Sequence, residues 1–520
     1  MKINRKLIGL VLAGVISSGF LVGCSSTSNN GGSNAKGEKT FVYGTTAYGA
    51  GSHGAGMNPQ IGYLGWSTVR YGVGETLFKF NENMELEPWL ATDYEVLDDY
   101  TIKINLRDDV NFSNGNKMTG EAVKACIESL VKNHDRAPSD LAIVSIEADG
   151  QSVTIKSENK VVNLLNYLSD PYGSIIDVSD WDVESNTCIG TGPFVATSVE
   201  DYEVQLKRNE NYWGGEAKLD KVIVKSFTDG DTMTMALQNG EIDATQGLPY
   251  ASLDLLKDKD EYKISSANTS RVYQMAYNYE NKDLQDIRVR KAIAKAINKE
   301  DFTKTLLNGN GSPAVGAYPS NFSFGNEAVK GDDYDLEGAK KLLKEAGYED
   351  TDNDGYVDKD GENLTIRWLT YPSRMELPLL AESAQATLKE IGIKVDVNNT
   401  ENSKDYIEKG EYDIYASAFV TAPTGDPQYY ITAHYVDGAA NNFGKYHNDK
   451  VEELTEELRN EFDTKKRSDL AVQIQQEVLN DCGYTYASHL KMSFVMKDNV
   501  KGFAAHPSDF YEITADTDVE

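Results

Sequence analysis

Apolar and polar positions alternate along much of the chain, and the alternation gives way at intervals to the 3.6-residue period of amphipathic helices. Lys39-Thr-Phe-Val-Tyr-Gly44 alternates and reads as a first strand, as do Asp98–Arg107 and Val144–Lys156, the latter with an Asp149-Gly150 turn. Between them, Thr119–Lys132 has helical spacing and begins at a Thr suited to cap it. Further strands are predicted at Glu203–Lys207, Lys221–Lys225, Leu364–Leu369, Ile393–Val397 and Met492–Met496. Helices are predicted at Thr232–Asn239, Val289–Ile297, Leu336–Ala346 and Leu379–Ile391, with a charged helical pair over 449–479. Gly347 and Gly392 end two of these helices, and the helix–Gly392–strand order is one half of an α/β unit. Strands and helices mix throughout with no internal repeat, so the class is α/β with α+β parts.

The first residues break this pattern. Lys2, Arg5 and Lys6 precede an apolar run, Leu7–Val22, that ends in Leu21-Val-Gly-Cys24. This is a secretory signal whose end matches the bacterial lipoprotein box, which implies cleavage after residue 23 and lipid attachment to Cys24. Residues 24–39 are polar and rich in Gly and Ser, the composition of a flexible tether. No later stretch approaches the ~18 consecutive apolar residues of a membrane helix, so the expectation is a chain anchored to the cell membrane from outside without spanning it.

Composition narrows the partners. The 520 residues carry 51 Lys+Arg against 82 Asp+Glu, a formal charge of −31 that becomes −34 once residues 1–23 are removed. That balance excludes nucleic acid, whose backbone needs clustered Lys and Arg, and excludes adhesion to anionic lipid through a basic patch. The length predicts two to four domains with a core large enough to need no disulfide. Cys126, Cys188 and Cys482 form no CxxC pair and no metal-ligand spacing, and read as buried thiols.

Catalytic signatures are missing. There is no HExxH, no G-x-S-x-G elbow and no Walker loop among the 520 residues. This moves weight from an enzyme to a binding protein, with a secreted hydrolase as a weaker alternative resting only on the many carboxylates. Asp350-Thr-Asp-Asn-Asp354-Gly355-Tyr-Val-Asp358 copies the start of a calcium loop, but Gly361 stands where the bidentate Glu belongs and a strand pattern follows where a helix should start. An acidic turn is the reading we favour. Two stretches interleave aromatic and polar residues as a ligand cleft does: Met57–Tyr71, with Tyr63 and Trp66, and Thr421–Tyr435.

A set of motifs then falls in a recognisable order: Glu75-Thr-Leu-Phe with Pro88-Trp-Leu-Ala91, Leu106-Arg-Asp-Asp-Val-Asn-Phe112-Ser-Asn-Gly115, Ile189-Gly-Thr-Gly-Pro-Phe194, Arg208-Asn-Glu-Asn-Tyr-Trp213-Gly, Asp286-Ile-Arg-Val-Arg290-Lys-Ala-Ile293 and Gly425-Asp426-Pro427. Behind a lipoprotein signal, this order resembles the peptide/nickel (family 5) extracellular solute-binding proteins of ABC transporters. The resemblance spans essentially the whole mature chain. It implies a two-lobed periplasmic-binding-protein-like fold of type II that closes on its ligand. Lobe I would combine 40–78, 189–285 and 491–520, with an extra subdomain, 79–188, inserted into it, and lobe II would run over 286–490. The partners implied are a permease and ATPase complex, with the receptor itself a monomer that performs no catalysis and carries no cofactor of its own.

The same resemblance supplies ligand-site expectations. Tyr371-Pro-Ser-Arg374-Met-Glu and Asn111-Phe-Ser-Asn-Gly115 are similar to nickel-type members, so a nickel or other transition-metal chelate is the expected ligand. Arg107 and Arg136 would meet chelator carboxylates, because a guanidinium fork matches a carboxylate. The alternative for each is a surface ion pair with a neighbouring Asp. Arg374 joins them as a further candidate, and His434, after the Asp-Pro pair, is the candidate metal ligand. Should the ligand be a short peptide instead, Asp426 would take its N-terminal amine; the plainer reading of Asp426 is a turn residue before Pro. An adhesin or signalling receptor on the same fold is the remaining alternative.

Overall fold

In the computed structural model, which describes residues 37–49, 54–179 and 181–520, two strands far apart in sequence organise the molecule. Tyr262–Tyr277 and Tyr484–Lys497 pair antiparallel over most of their lengths at the centre of an eleven-stranded sheet. The proposed signal segment, Cys24 and the tether up to residue 36 lie outside the described residues. On one side of the central ribbon the sheet continues through Ile414–Val420, Thr365–Thr370 and Lys394–Asn399. On the other it continues through Ala244–Gln246, Thr40–Thr45, Lys221–Ser226, Glu203–Arg208 and Phe194–Val199.

The ribbon changes partners partway along. Residues 271–277 bond to Ile414–Val420, whereas residues 494–496 of the other strand bond to Ala244–Gln246. Pairing within the ribbon is interrupted between Asn268 and Val272, where the register shifts. Such an irregularity bends a strand and re-aims its side chains. Thr269, Ser270 and Arg271 therefore sit at a joint between the two parts of the sheet.

Each part is buried by elements whose apolar spacing is visible in the sequence. Helix Glu376–Glu390 joins the parallel strands Thr365–Thr370 and Lys394–Asn399, and its buried face is Leu377, Leu380, Ala381, Ala384 and Leu388. That face meets Ile366 and Trp368, which alternate inward along their strand. A separate antiparallel sheet holds Ala91–Asp98, Thr101–Leu106, Ser152–Ser157 and Ile143–Asp149 in that order. Helix Gly120–Asn133 covers it with Val123, Ile127 and Leu130 against Ile146, Val153 and Ile155. Each such aliphatic side chain contributes about 1.5–3 kcal/mol by leaving water. The Thr119 hydroxyl accepts from Ala122 N at 3.3 Å, the cap expected there. Cys126, Cys188 and Cys482 are buried free thiols, raised by burial. Among the described residues no helix is long and apolar enough to cross a membrane.

Two motif residues are scaffold. Arg290 is buried and donates to the carbonyls of Leu284, Gln285, Asp481 and Cys482, tying a helix to the turn before the central strand. Glu75, 1% exposed, accepts from Trp213 Nε1 (2.8 Å), Thr191 Oγ1 (2.9 Å) and the Tyr212 hydroxyl (3.0 Å). Burial pushes its carboxyl up to about 7 against these three donors. A carboxyl raised in the folded state holds its proton more tightly there, so its stabilisation is complete below the unfolded value and is lost as pH rises towards 7. We expect the unfolding free energy of the wild type, from urea titrations, to fall across that window by roughly 3 kcal/mol more than that of Glu75→Gln. The variant itself should be less stable at low pH, because an amide has one acceptor for three buried donors.

Candidate functional site

The joint in the central ribbon opens onto a cavity of about 520 Å³. Thr269, Ser270 and Arg271 line it from one strand and Leu490, Lys491, Met492 and Ser493 from the other. One wall adds Trp66, Arg70, Gln246 and Tyr250, with Pro507–Asp509 from near the end of the chain. The facing wall adds Asn310, Val420, Pro423 and the turn Ser373–Glu376 that opens helix Glu376–Glu390. Tyr250 and Glu376 meet across it, the phenol donating to Glu376 Oε1 at 2.5 Å, so the two walls are hydrogen-bonded to each other.

The charges at this site are of two kinds. Arg70 is buried and already balanced: Nη2 lies 2.5 Å from Asp509 Oδ2, and Nε lies 3.4 Å from Glu512 Oε1. Burial pulls the Arg70 guanidinium down, but the two carboxylates outweigh it and hold it above the ordinary value. The same guanidinium stacks on Trp66, 4.8 Å from the ring centre, and so fixes an aromatic wall of the cavity. Arg271 differs. Among the described residues no carboxylate lies within ion-pair distance of it, and burial, with Arg374 nearby, pulls its guanidinium down to about 10. A cation that has lost water without gaining a counter-ion is a site for an anion.

The residues expected from sequence divide accordingly. Trp66 and Arg374 line the cavity. Tyr63 does not; it stands edge-on to Trp66, with Arg136 over its ring at 4.8 Å. Arg136 lies between the Tyr63 and Tyr172 rings and 3.5 Å from Asp170, outside the cavity lining. Arg107 corrects the expectation most clearly. It forks onto Asp109 with bonds of 2.9 and 2.7 Å and stacks on Trp213 at 4.1 Å, so its charge is spent in a surface pair two residues away.

Asp426 is also spent. Arg467 grips both its oxygens at 2.7–3.1 Å, and both residues are buried. The preceding Gly425 has φ +71°, and a Cβ there would stand 2.3 Å from Met84 O, so glycine is required by a close backbone approach. The Gly425-Asp426-Pro427 motif is thus a structural turn, not an amine anchor. His434, the candidate metal ligand, lies outside the cavity lining. It is 1% exposed, bonds Tyr430 O at 3.2 Å, and is packed by Phe419 and Tyr430, and burial pulls it down to about 3.

Asp350, Asp352 and Asp358 bring carboxylate oxygens within 4.8 Å of one another, but Asp358 already accepts from Thr351 N at 2.7 Å, and the strand Thr365–Thr370 follows.

What the sequence reading missed is Arg271, Arg70, Tyr250, Glu376 and Lys491. A signal for Arg271 existed: a polar run, Ser265–Ser270, switches at Arg271 to the apolar Val272–Tyr277, which marks a strand leaving one environment for another.

With this geometry in hand, the comparisons with known proteins are specific. The family model for bacterial extracellular solute-binding proteins, family 5, matches residues 85–442. The nickel-binding protein NikA of Staphylococcus aureus is 28% identical over 457 residues, covering 87% of this chain and 90% of that protein. Its crystal structure with Ni(L-His)2 aligns with a TM-score of 0.74 over 93% of this chain and 100% of that one. A nickel ABC transporter structure from Bacillus halodurans aligns at 0.81 with 29% identity over the same shares. The oligopeptide-binding protein AppA of Bacillus subtilis is 26% identical, covering 84% of each chain.

Proposed function

The chain belongs to the bacterial extracellular solute-binding proteins of family 5, and from that premise we propose that it is the lipid-anchored receptor of an ABC importer that captures a transition-metal chelate, nickel foremost. In this reading Cys24 carries the lipid, residues 24–39 form the tether, and a single copy hands its ligand to a permease and ATPase complex. The lobes comprise 40–78 with 189–285 and 491–520, and 286–490, with 79–188 inserted, and they hinge at the ribbon joint near Asn268–Val272.

The observation that carries the reading is Arg271, a half-buried residue that lines the cavity and has no carboxylate within ion-pair distance among the described residues. Arg374 stands beside it, and a chelator's carboxylates would complete both by charge-assisted bonds. Among the described residues the lining includes no His and no Cys, which suits a metal that arrives with its ligands already in place. The nickel-binding relatives favour the same ligand class. A short peptide is the competing ligand, and AppA favours it. Its amine would lack the Asp426 carboxylate, which Arg467 holds.

Isothermal titration separates the two. Nickel chloride alone should give no binding heat, a nickel–polycarboxylate complex should bind at or below the micromolar range, and di- and tripeptides should not compete. Saturable binding of nickel chloride alone, or a ladder of peptides in native mass spectra of protein from its own host, would overturn the proposal.

A further inference from the structure

Among the described residues the cavity is lined by four cations, Arg70, Arg271, Arg374 and Lys491, and by two carboxylates, Glu376 and Asp509. Asp509 and Arg70 cancel each other at 2.5 Å. Glu376 accepts from a neutral phenol, the Tyr250 hydroxyl, rather than from a cation. Arg271, Arg374 and Lys491 have no carboxylate within ion-pair distance among the described residues. Lys491 reaches a carbonyl, Gly309 O, at 3.5 Å. The lining therefore carries two positive charges in excess.

The rest of the molecule is acidic, with a formal charge of −31. At physiological salt that body charge is screened beyond about 8 Å, whereas charges in direct contact at the cavity lining are screened much less. Recognition of an anion is thus decided at the lining, where a neutral occupant would leave two cations without a counter-charge.

Resting on the chelate reading above, we propose that the ligand is a dianion: a metal complex whose carboxylate arms exceed the metal's charge by two, seated on Arg271, Arg374 and Lys491, with Lys491 and Glu376 setting the preferred charge. The neutral bis-histidine nickel complex bound by the S. aureus relative would on this account be a poor ligand here. A chelator with four carboxylates around a divalent ion would be a good one.

Three nickel complexes of graded charge test this by competition titration on the full mature protein: neutral Ni(L-His)2, the monoanionic nitrilotriacetate complex and the dianionic EDTA complex. Affinity should rise along the series, the dianion binding roughly a hundredfold more tightly than the neutral complex. Lys491→Gln should weaken the dianion about tenfold, leave the neutral complex unchanged and bring the monoanion level with the dianion. Lys491→Arg should restore the wild-type order. Glu376→Gln, which still accepts from Tyr250, should tighten the dianion about tenfold. Thermal unfolding of each variant confirms that it is folded. Equal affinity for the neutral and dianionic complexes, or an unaltered charge preference in both Lys491→Gln and Glu376→Gln, would overturn the charge match while leaving the chelate reading standing. Binding of metal-free EDTA as tight as its nickel complex, or of peptides in place of all three complexes, would overturn the chelate reading itself.

Discussion

Replacing Arg271 by Gln is expected to weaken binding of a nickel–polycarboxylate complex at least a hundredfold while raising the unfolding temperature of the empty protein. The two effects have one cause and opposite signs. In the empty cavity this half-buried guanidinium has lost part of its water and has no carboxylate within ion-pair distance among the described residues, and burial with Arg374 nearby pulls it down to about 10. Removing it relieves the folded state of that cost, and the unfolded chain is indifferent to the change. In the occupied cavity the same guanidinium would hold a carboxylate, and truncating one partner of a buried charge pair costs about 2–5 kcal/mol. Arg107→Ala is the matching control. Its charge is committed to Asp109 at the surface, so affinity should stay within about twofold. Calorimetry on the two variants checks both arms. Unchanged affinity in Arg271→Gln, or a lowered unfolding temperature, would remove Arg271 from the site.

The second large effect lies outside the cavity. Asp426→Ala should cost about 3–5 kcal/mol of stability, because it leaves Arg467 as an uncompensated buried cation. Exchanging both residues for apolar ones of similar volume should recover most of that loss, since a buried pair contributes little net stability over good packing. Urea unfolding of the single and double variants measures it. The outcome also bears on ligand class. If Asp426 were a peptide amine anchor, Asp426→Asn would lose peptide binding with little loss of stability. The grip of Arg467 on both carboxylate oxygens predicts the reverse.

Local pattern in the sequence went far with individual elements and stopped at long-range pairing. The helix after Thr119, the strands around 101–106 and 365–370, and the helix ended by Gly392 were legible because burial imposes its period on consecutive residues. The central strand Tyr262–Tyr277 was not, because its first half is exposed and polar and its second half buried on both faces, so no single period runs through it. The same division hides Arg271, which is ordinary in sequence and acquires its role only where the register shifts. Asp426 meets its partner 41 residues away on another element, a pairing that no window of neighbouring residues contains. Arg107 is the converse: Asp109, two residues on, was visible as the competing partner, and proximity along the chain won over the family expectation. Trp66 was singled out by the interleaving of aromatic and polar residues over Met57–Tyr71, and Arg374 by the likeness of its segment to nickel-type members.

The wall built by Pro507–Asp509, with Glu512 behind it, makes the cavity depend on contacts that span 439 residues of chain. Asp509 and Glu512 supply the counter-charges for Arg70, and Arg70 in turn backs the Trp66 ring. A cut in the chain before Pro507 would therefore breach the cavity and leave an aromatic wall resting on an uncompensated cation.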